Sequence, residues 1–190
     1  LQMNWIVSKK KYDFIGKRSL YRSDTIRENR KQLVGLLTDD PKEVLEDNNI
    51  EVLTASDASR QDYATDGSVV HINLTLDEID MSLFDGIFLI GGGGAMKYLD
   101  TGVMYNLLRT AQRESRAYGA ICISPRILAA AGVLNGKKAT GWDSDDKLTE
   151  VFKKHNVDYV KEPVVVDGNL VTAVDPKAAE KFGKAIVKIL

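Results

Sequence analysis

Cys122 is the residue whose surroundings most favour chemistry. It follows an apolar segment, Ala117–Ile121, that predicts a buried strand, and it precedes Ser124-Pro125, where a helix is expected to begin. A sharp turn from strand to helix lifts such a residue out of the sheet, as in a nucleophile elbow. The positive end of the helix is then expected to lower the pKa of the thiol. The alternative is a small buried apolar residue, the usual role of a lone cysteine.

A run of glycines, Gly91 to Gly94, follows a second predicted strand, Gly86–Ile90. Open α/β sheets bind ligands at the carboxyl ends of their strands, and glycines there let backbone N–H groups approach a bound anion. No Lys-Ser/Thr follows the run, and the spacing and downstream acid of a dinucleotide fingerprint are missing, so neither kind of nucleotide site is expected. A purely structural tight turn is the alternative.

The other side chains that could take part in a reaction also have structural interpretations. His71 lies in a strand-like segment and His155 at a predicted helix end, so both are expected at a sheet edge or on the surface. Trp142 follows a predicted strand end, where we expect it to line the mouth of a pocket. The acids after Trp142 are expected to cap the next helix.

Composition excludes several classes of protein. The chain has 190 residues with 26 basic and 27 acidic side chains and a net charge of −1, so no nucleic-acid partner is expected. One Cys and two His exclude a disulfide framework and argue against a zinc cluster, and no metal or organic cofactor is predicted. No segment resembles a membrane span or a signal peptide, so we expect a cytoplasmic protein without a membrane partner.

Apolar segments alternate with helical patterns along the chain. Strands are predicted at 3–7, 51–55, Gly86–Ile90 and Ala117–Ile121, with a helix at 103–116 between the last two. A strand, a crossover helix and a second strand imply parallel pairing. The sequence therefore predicts an α/β fold with a doubly wound, mostly parallel sheet between layers of helices.

The C-terminal part predicts a hairpin and a closing helix. Asp167-Gly168-Asn169 separates the apolar segments 163–166 and 170–172, and its Asp-Gly is a strong signal for a tight turn. Asp175-Pro176 then begins a helix, with Asp175 as its N-cap. Because no linker or repeat is present, we predict a single domain over residues 1–190.

Residues 17–40 fit the alternation poorly and are predicted to be a helical insertion. Residues 23–37 can form an amphipathic helix capped by Ser23, and a new helix is expected to start at Pro41. Lys and Arg are frequent from Lys9 to Lys31, which makes this stretch basic. It can be a solvated helix face, an anion or nucleic-acid site, or a dimerisation or lid element.

Four segments together resemble one protein family. They read Asp85-Gly-Ile-Phe-Leu-Ile-Gly-Gly-Gly-Gly-Ala95, Ala120-Ile-Cys-Ile-Ser-Pro125, Leu128-Ala-Ala-Ala-Gly-Val-Leu-Asn-Gly-Lys-Lys-Ala-Thr140 and Val164-Val-Val-Asp-Gly-Asn-Leu-Val-Thr172. In this order they closely resemble the ThiJ/PfpI superfamily, which includes PfpI-type intracellular proteases and a parkinsonism-associated protein deglycase. The resemblance covers residues 50–190. It implies a flavodoxin-like sandwich and a homodimer or larger homo-oligomer.

The resemblance also implies a site. Cys122 would be the nucleophile, and the backbone N–H groups of Gly92 and Ile123 would form an oxyanion hole, with Gly93 in the same binding loop. Ser124 and Trp142 are predicted to line the pocket. The implied substrate is a small molecule or a protein adduct.

Two departures from the family pattern limit the possible mechanisms. The protease branch has His directly after the cysteine, where this chain has Ile123, so a Cys-His dyad is absent. The deglycase branch lacks that His too and relies on an acid just after its first strand. Asp13 is the only acid in the matching stretch, 8–16, and is the predicted partner of the thiol. A surface acid without a catalytic role is the alternative.

Three functions remain open at this stage. The first is a glyoxalase-, deglycase- or amidase-like enzyme in which Cys122 attacks a small electrophile. The second is a non-catalytic stress protein, in which Cys122 senses oxidation or the chain acts as a chaperone. The third is a scaffold whose basic insertion binds a partner.

Overall fold

A computed structural model describes residues 32–34, 48, 50–57, 61–63 and 69–190. The strand predicted at 3–7 and the candidate acid Asp13 lie outside the described residues.

The strands are short, and the longest ones are formed by the most apolar segments. In chain order they are β1 (Gln32–Val34), β2 (Glu51–Leu53), β3 (Ala55–Ser56), β4 (Gln61–Tyr63), β5 (Val69–His71), β6 (Leu74–Thr75), β7 (Gly86–Ile90), β8 (Ala117–Ile121), β9 (Lys138–Ala139), β10 (Asp158–Tyr159), β11 (Val164–Asp167) and β12 (Leu170–Ala173).

Among the described residues, the α-helices begin at Ala95. They are α1 (Ala95–Tyr98), α2 (Gly102–Arg113), α3 (Pro125–Ala130), α4 (Leu148–Lys154) and α5 (Ala179–Ile189). Within the described part of the chain, no helix has the length and apolar character needed to cross a membrane.

Six strands form the central sheet, in the order β11-β12-β8-β7-β1-β2. β11 is antiparallel to β12, and every other neighbouring pair in this sheet is parallel. α2 connects the parallel neighbours β7 and β8, as the crossover pattern predicted. The α/β fold with a mostly parallel, flavodoxin-like sheet and a C-terminal hairpin is therefore confirmed.

Apolar side chains cover both faces of this sheet. Ile87 and Leu89 of β7 belong to a core shared with α2, α3 and α4. Phe88, which points to the opposite face because strand residues alternate, belongs to a second core with α5. There it meets Phe182 edge to face, with ring centroids 6.0 Å apart. The sandwich thus buries β7 and β8 between layers of helices.

One predicted helix is partly wrong. Residues 23–37 were expected to be helical, but Gln32–Val34 form strand β1, parallel to β2 on one side and to β7 on the other. The apolar pair Leu33-Val34 is compatible with the residue spacing of a helix or of a strand. The strand forms because there is space for it between β2 and β7, where both edges of β1 can form backbone hydrogen bonds. The rest of the stretch 17–40 lies outside the described residues, so the insertion and the single-domain organisation stay predictions.

Candidate active site

Cys122 occupies a strained turn between β8 and α3. Its backbone has a φ of +64°, a left-handed conformation that a side chain other than glycine rarely adopts. The Cys122 N–H donates to the carbonyl oxygen of Ala173 at 3.0 Å, which fixes the turn to the end of β12. Pro125 begins α3, as expected from the sequence. The half-buried thiol therefore sits in the geometry of a nucleophile elbow.

The pKa of the Cys122 thiol is raised, contrary to the expected depression. Burial is the main cause, and the negative charge of Asp175 adds to it. A hydrogen bond from the Ile123 N–H and the positive charge of Arg126 act in the opposite direction without overcoming burial. The expected depression of the thiol pKa by the start of α3 is therefore not found.

The glycine loop contacts this elbow through Gly91. A Cβ placed on Gly91 would lie 2.6 Å from the Ile121 carbonyl oxygen, 2.6 Å from the Ile123 nitrogen and 2.8 Å from the Cys122 Cβ. Only glycine allows the end of β7 to come this close to the turn after β8. The sequence predicted that the two segments meet at one edge of the sheet, but it did not single out Gly91.

Gly92 and Gly93, the predicted binding residues, are exposed and border open space. The carbonyl oxygen of Gly92 accepts from the Ala95 N–H at 3.1 Å, at the start of α1. Their position beside the elbow is compatible with a ligand approaching the backbone, and their part in an oxyanion hole stays a prediction.

Trp142 forms one side of the elbow. Its backbone N–H donates to the Cys122 carbonyl oxygen at 2.8 Å, and its side chain is half-buried. Ser124 is fully buried, and its hydroxyl has no hydrogen-bond partner among the described residues. The structure thus brings Trp142 next to Cys122 and places Ser124 in the interior at the start of α3.

Arg126 is a charged residue of the site that sequence reasoning missed. It is 7% exposed, and both terminal nitrogens of its guanidinium donate to the carboxylate of Asp145. These bonds lower the pKa of Asp145 to about 2, so its carboxylate stays ionised at neutral pH. The second acid after Trp142, Asp143, accepts from the Leu148 N–H at 2.7 Å and caps α4, as predicted.

Asp175 is the second missed residue. It follows β12, which pairs with β8 in a register that places Ala173 opposite Ile121. It stands at the predicted N-cap position, before a 3₁₀ turn at Pro176–Ala178, but its side chain makes no capping hydrogen bond. Its charge instead acts on the Cys122 thiol. Because β8 and β12 are adjacent parallel strands, the residues after them lie at the same edge of the sheet, and this could have identified Asp175 as a neighbour of the thiol.

The two histidines lie on elements other than the elbow and the glycine loop. His155 ends α4, as predicted, and His71 ends the short strand β5. No cluster of three or more His, Cys, Asp or Glu suited to a metal ion occurs among the described residues.

Removing the Asp175 charge should make the thiol more acidic. The carboxylate disfavours the thiolate, so we expect Asp175→Asn to lower the pKa of Cys122 and to speed its alkylation by iodoacetamide at pH 7. The measurement is the alkylation rate from pH 6 to pH 11. Asp158→Asn, the same change on an exposed residue of β10, is the control and should leave the curve in place. An unchanged curve for Asp175→Asn would show that its carboxylate does not act on the sulfur.

Known proteins share this architecture. The model of the DJ-1/PfpI family matches residues 38–189. The uncharacterized protein MJ0967 of Methanocaldococcus jannaschii is 31% identical over 80% of this chain and 74% of its own length. Among solved structures, a ThiJ/PfpI domain protein from Brachyspira murdochii superposes with a TM-score of 0.75 at 23% identity, covering 86% of this chain and 96% of that chain.

Several relatives carry names that state an activity, among them a glyoxalase and a deglycase. The glutathione-independent glyoxalase DJR-1.2 of Caenorhabditis elegans is 27% identical over 86% of this chain and 84% of its own length. Deglycase PfpI of Pyrococcus furiosus is 31% identical over 65% of this chain and 73% of its own length. The family match begins after Asp13 and includes the whole arrangement around Cys122. The chain belongs to the DJ-1/PfpI family.

Proposed function

We propose that this protein is a glyoxalase- or deglycase-like enzyme in which Cys122 attacks small reactive aldehydes or the protein adducts they form. The observation that carries the proposal is the strained elbow at Cys122, where the Ile123 N–H donates to the sulfur and Gly91 lies against the same turn. The family relatives named as a glyoxalase and a deglycase support this reaction class.

The proposed first step is addition of the sulfur to an aldehyde carbon. A carbon–sulfur bond forms, the thiol proton leaves, and the carbonyl π electrons move to the oxygen, which takes up a proton to give a hemithioacetal. The backbone N–H groups of Ile123 and Gly92 are proposed to stabilise the negative charge on that oxygen. With methylglyoxal, a proton shift from C1 to C2 then gives a thioester, which water hydrolyses to lactate.

A proton acceptor is needed because the pKa of the thiol is raised. Ile123 cannot supply one. Asp175 is the described acid whose charge acts on the sulfur, and Asp13 stays a predicted partner outside the described residues. The proposed mechanism therefore assigns proton transfer to a carboxylate rather than to a histidine.

The direct test is conversion of methylglyoxal and water to lactate by the purified full chain without added thiol. We expect lactate to form faster than in buffer alone, and release of an adducted peptide by the same protein would extend the substrates to protein adducts. If neither reaction is accelerated between pH 6 and pH 9, the proposed function is wrong.

A redox-sensing role for Cys122 is a different proposal, which the Ile123 N–H at the sulfur also favours, because it could hold an oxygen of a sulfinic acid. Oxidation by peroxide, however, starts from the thiolate, and the raised pKa of the thiol disfavours that form. A stable gain of two oxygen atoms on Cys122 in dilute peroxide, without aldehyde turnover, would favour the sensor. A cytoplasmic location and a homodimer or larger homo-oligomer belong to either proposal.

A further inference from the structure

The loop that carries Trp142 is tied to α3 by one buried cation. Arg126 donates to Asp145 at 2.9 Å through Nη1 and again through Nη2, and Nη2 also donates to the Trp142 carbonyl oxygen at 3.2 Å. The centre of the guanidinium lies 5.5 Å from the centroid of the Trp142 ring, within range of a cation–π interaction. Arg126 therefore holds both the backbone and the ring of Trp142.

The same loop is bonded to the elbow. The Trp142 N–H donates to the Cys122 carbonyl oxygen at 2.8 Å, and Cys122 is three residues before Pro125, where α3 begins. The elbow is thus connected to Arg126 in two ways, through the chain and through the backbone of Trp142. Asp145 fixes the position of the guanidinium. A movement of the loop would act on the peptide bond of the strained residue itself.

Stability alone does not account for this arrangement. Replacing a buried ion pair by apolar side chains is often neutral or stabilising. In this pair Arg126 is buried and the Asp145 side chain is 28% exposed, and the Nε of Arg126 is buried without a hydrogen-bond partner among the described residues. An unsatisfied buried donor is unfavourable. A cation retained under these conditions, and bonded to the loop beside the thiol, suggests a role in the site.

We propose that Arg126, fixed by Asp145, is a positioning residue that anchors Trp142 against the elbow and so holds the Cys122 thiol in its reactive orientation. The expected effect on turnover rests on the proposed function. The expected effects on the position of Trp142 and on the reactivity of the thiol do not. Trp142 is thereby assigned to a fixed wall of the site rather than to a mobile surface.

The test uses Trp142 as its own reporter. The chain has two tryptophans, so Trp5→Phe leaves Trp142 as the single tryptophan, which is excited selectively at wavelengths that tyrosine does not absorb. In this background Asp145→Asn keeps the Arg126 charge and removes its anchor. We expect a red-shifted Trp142 emission, stronger quenching by acrylamide, and an alkylation rate of Cys122 lowered about tenfold at its high-pH plateau. At the plateau the thiol is fully ionised, so the rate reports orientation and access rather than the pKa.

Two further variants keep the test informative if Asp145→Asn folds poorly. Arg126→Met combined with Asp145→Asn removes both charges of the pair, so no lone charge is left, and should show the same changes in a folded protein. Glu180→Gln removes one partner of the exposed Lys184–Glu180 pair on α5 and should change none of them. A folded double variant with the parent's Trp142 emission and the parent's plateau rate would overturn the proposal.

Failure of the proposed function would be recognised separately. If the parent protein produces no lactate while the variants still loosen Trp142 and slow alkylation, the enzyme proposal fails and the positioning role stands. If the parent produces lactate and the folded double variant does so equally fast, the positioning role fails and the enzyme proposal stands.

Discussion

Replacing Cys122 with alanine should reduce lactate formation from methylglyoxal to the rate of the reaction in buffer. The proposed mechanism requires a covalent bond to sulfur, and the chain contains no second cysteine. Alanine accepts the φ of +64° about as well as cysteine does, because both carry a Cβ. The half-buried thiol leaves only a small gap, so we expect the variant to fold and its melting temperature to stay near that of the wild type.

Cys122→Ser is the matched control for the chemistry. It retains the size and hydrogen-bonding capacity of the side chain, but its hydroxyl ionises far less readily than a thiol, and no histidine follows it to act as a base. We expect it to be as inactive as Cys122→Ala. Turnover at the wild-type rate in either folded variant would place the reaction at another residue and reject the nucleophile assignment.

The parts of the fold that the sequence predicts well are those with one strong local signal. β7 and β8 are continuous apolar segments, and the turn between β11 and β12 has Gly168-Asn169 at its centre, directly after Asp167, so burial and turn chemistry both point to the observed structure. β1 has no such signal. Three residues with mixed polarity become a strand only because β2 and β7 leave a place between them, which is information about the tertiary structure.

The candidate site divides in the same way. The elbow at Cys122 is predictable because a buried strand, a cysteine and Ser-Pro follow one another along the chain. The pairing of Arg126 with Asp145 joins residues nineteen positions apart, and no periodicity indicates it. The pKa of the thiol depends on a balance between burial and nearby charges. Sequence reasoning identified the helix end but could not weigh it against the loss of water.

The contact between β7 and the elbow provides the most demanding test of the geometry. We expect Gly91→Ala to lower the free energy of unfolding by at least about 2 kcal/mol, because its Cβ would meet backbone atoms that cannot rotate away. For a chain of this size that corresponds to a melting temperature lower by roughly 4–8 °C. The turn would also have to shift, so the alkylation rate of Cys122 should change with it.

Gly92→Ala is the matched control because it makes the same chemical change one residue later. A Cβ on Gly92 meets nothing within 4 Å, and the substitution keeps the backbone N–H that the mechanism uses. Reduced freedom of the unfolded chain favours alanine there, so we expect a melting temperature at or slightly above that of the wild type. Equal melting temperatures for the two variants would mean that Gly91 does not lie against the turn at Cys122. A loss confined to Gly91→Ala, with altered alkylation, would instead tie the stability of the sheet edge to the reactivity of the thiol.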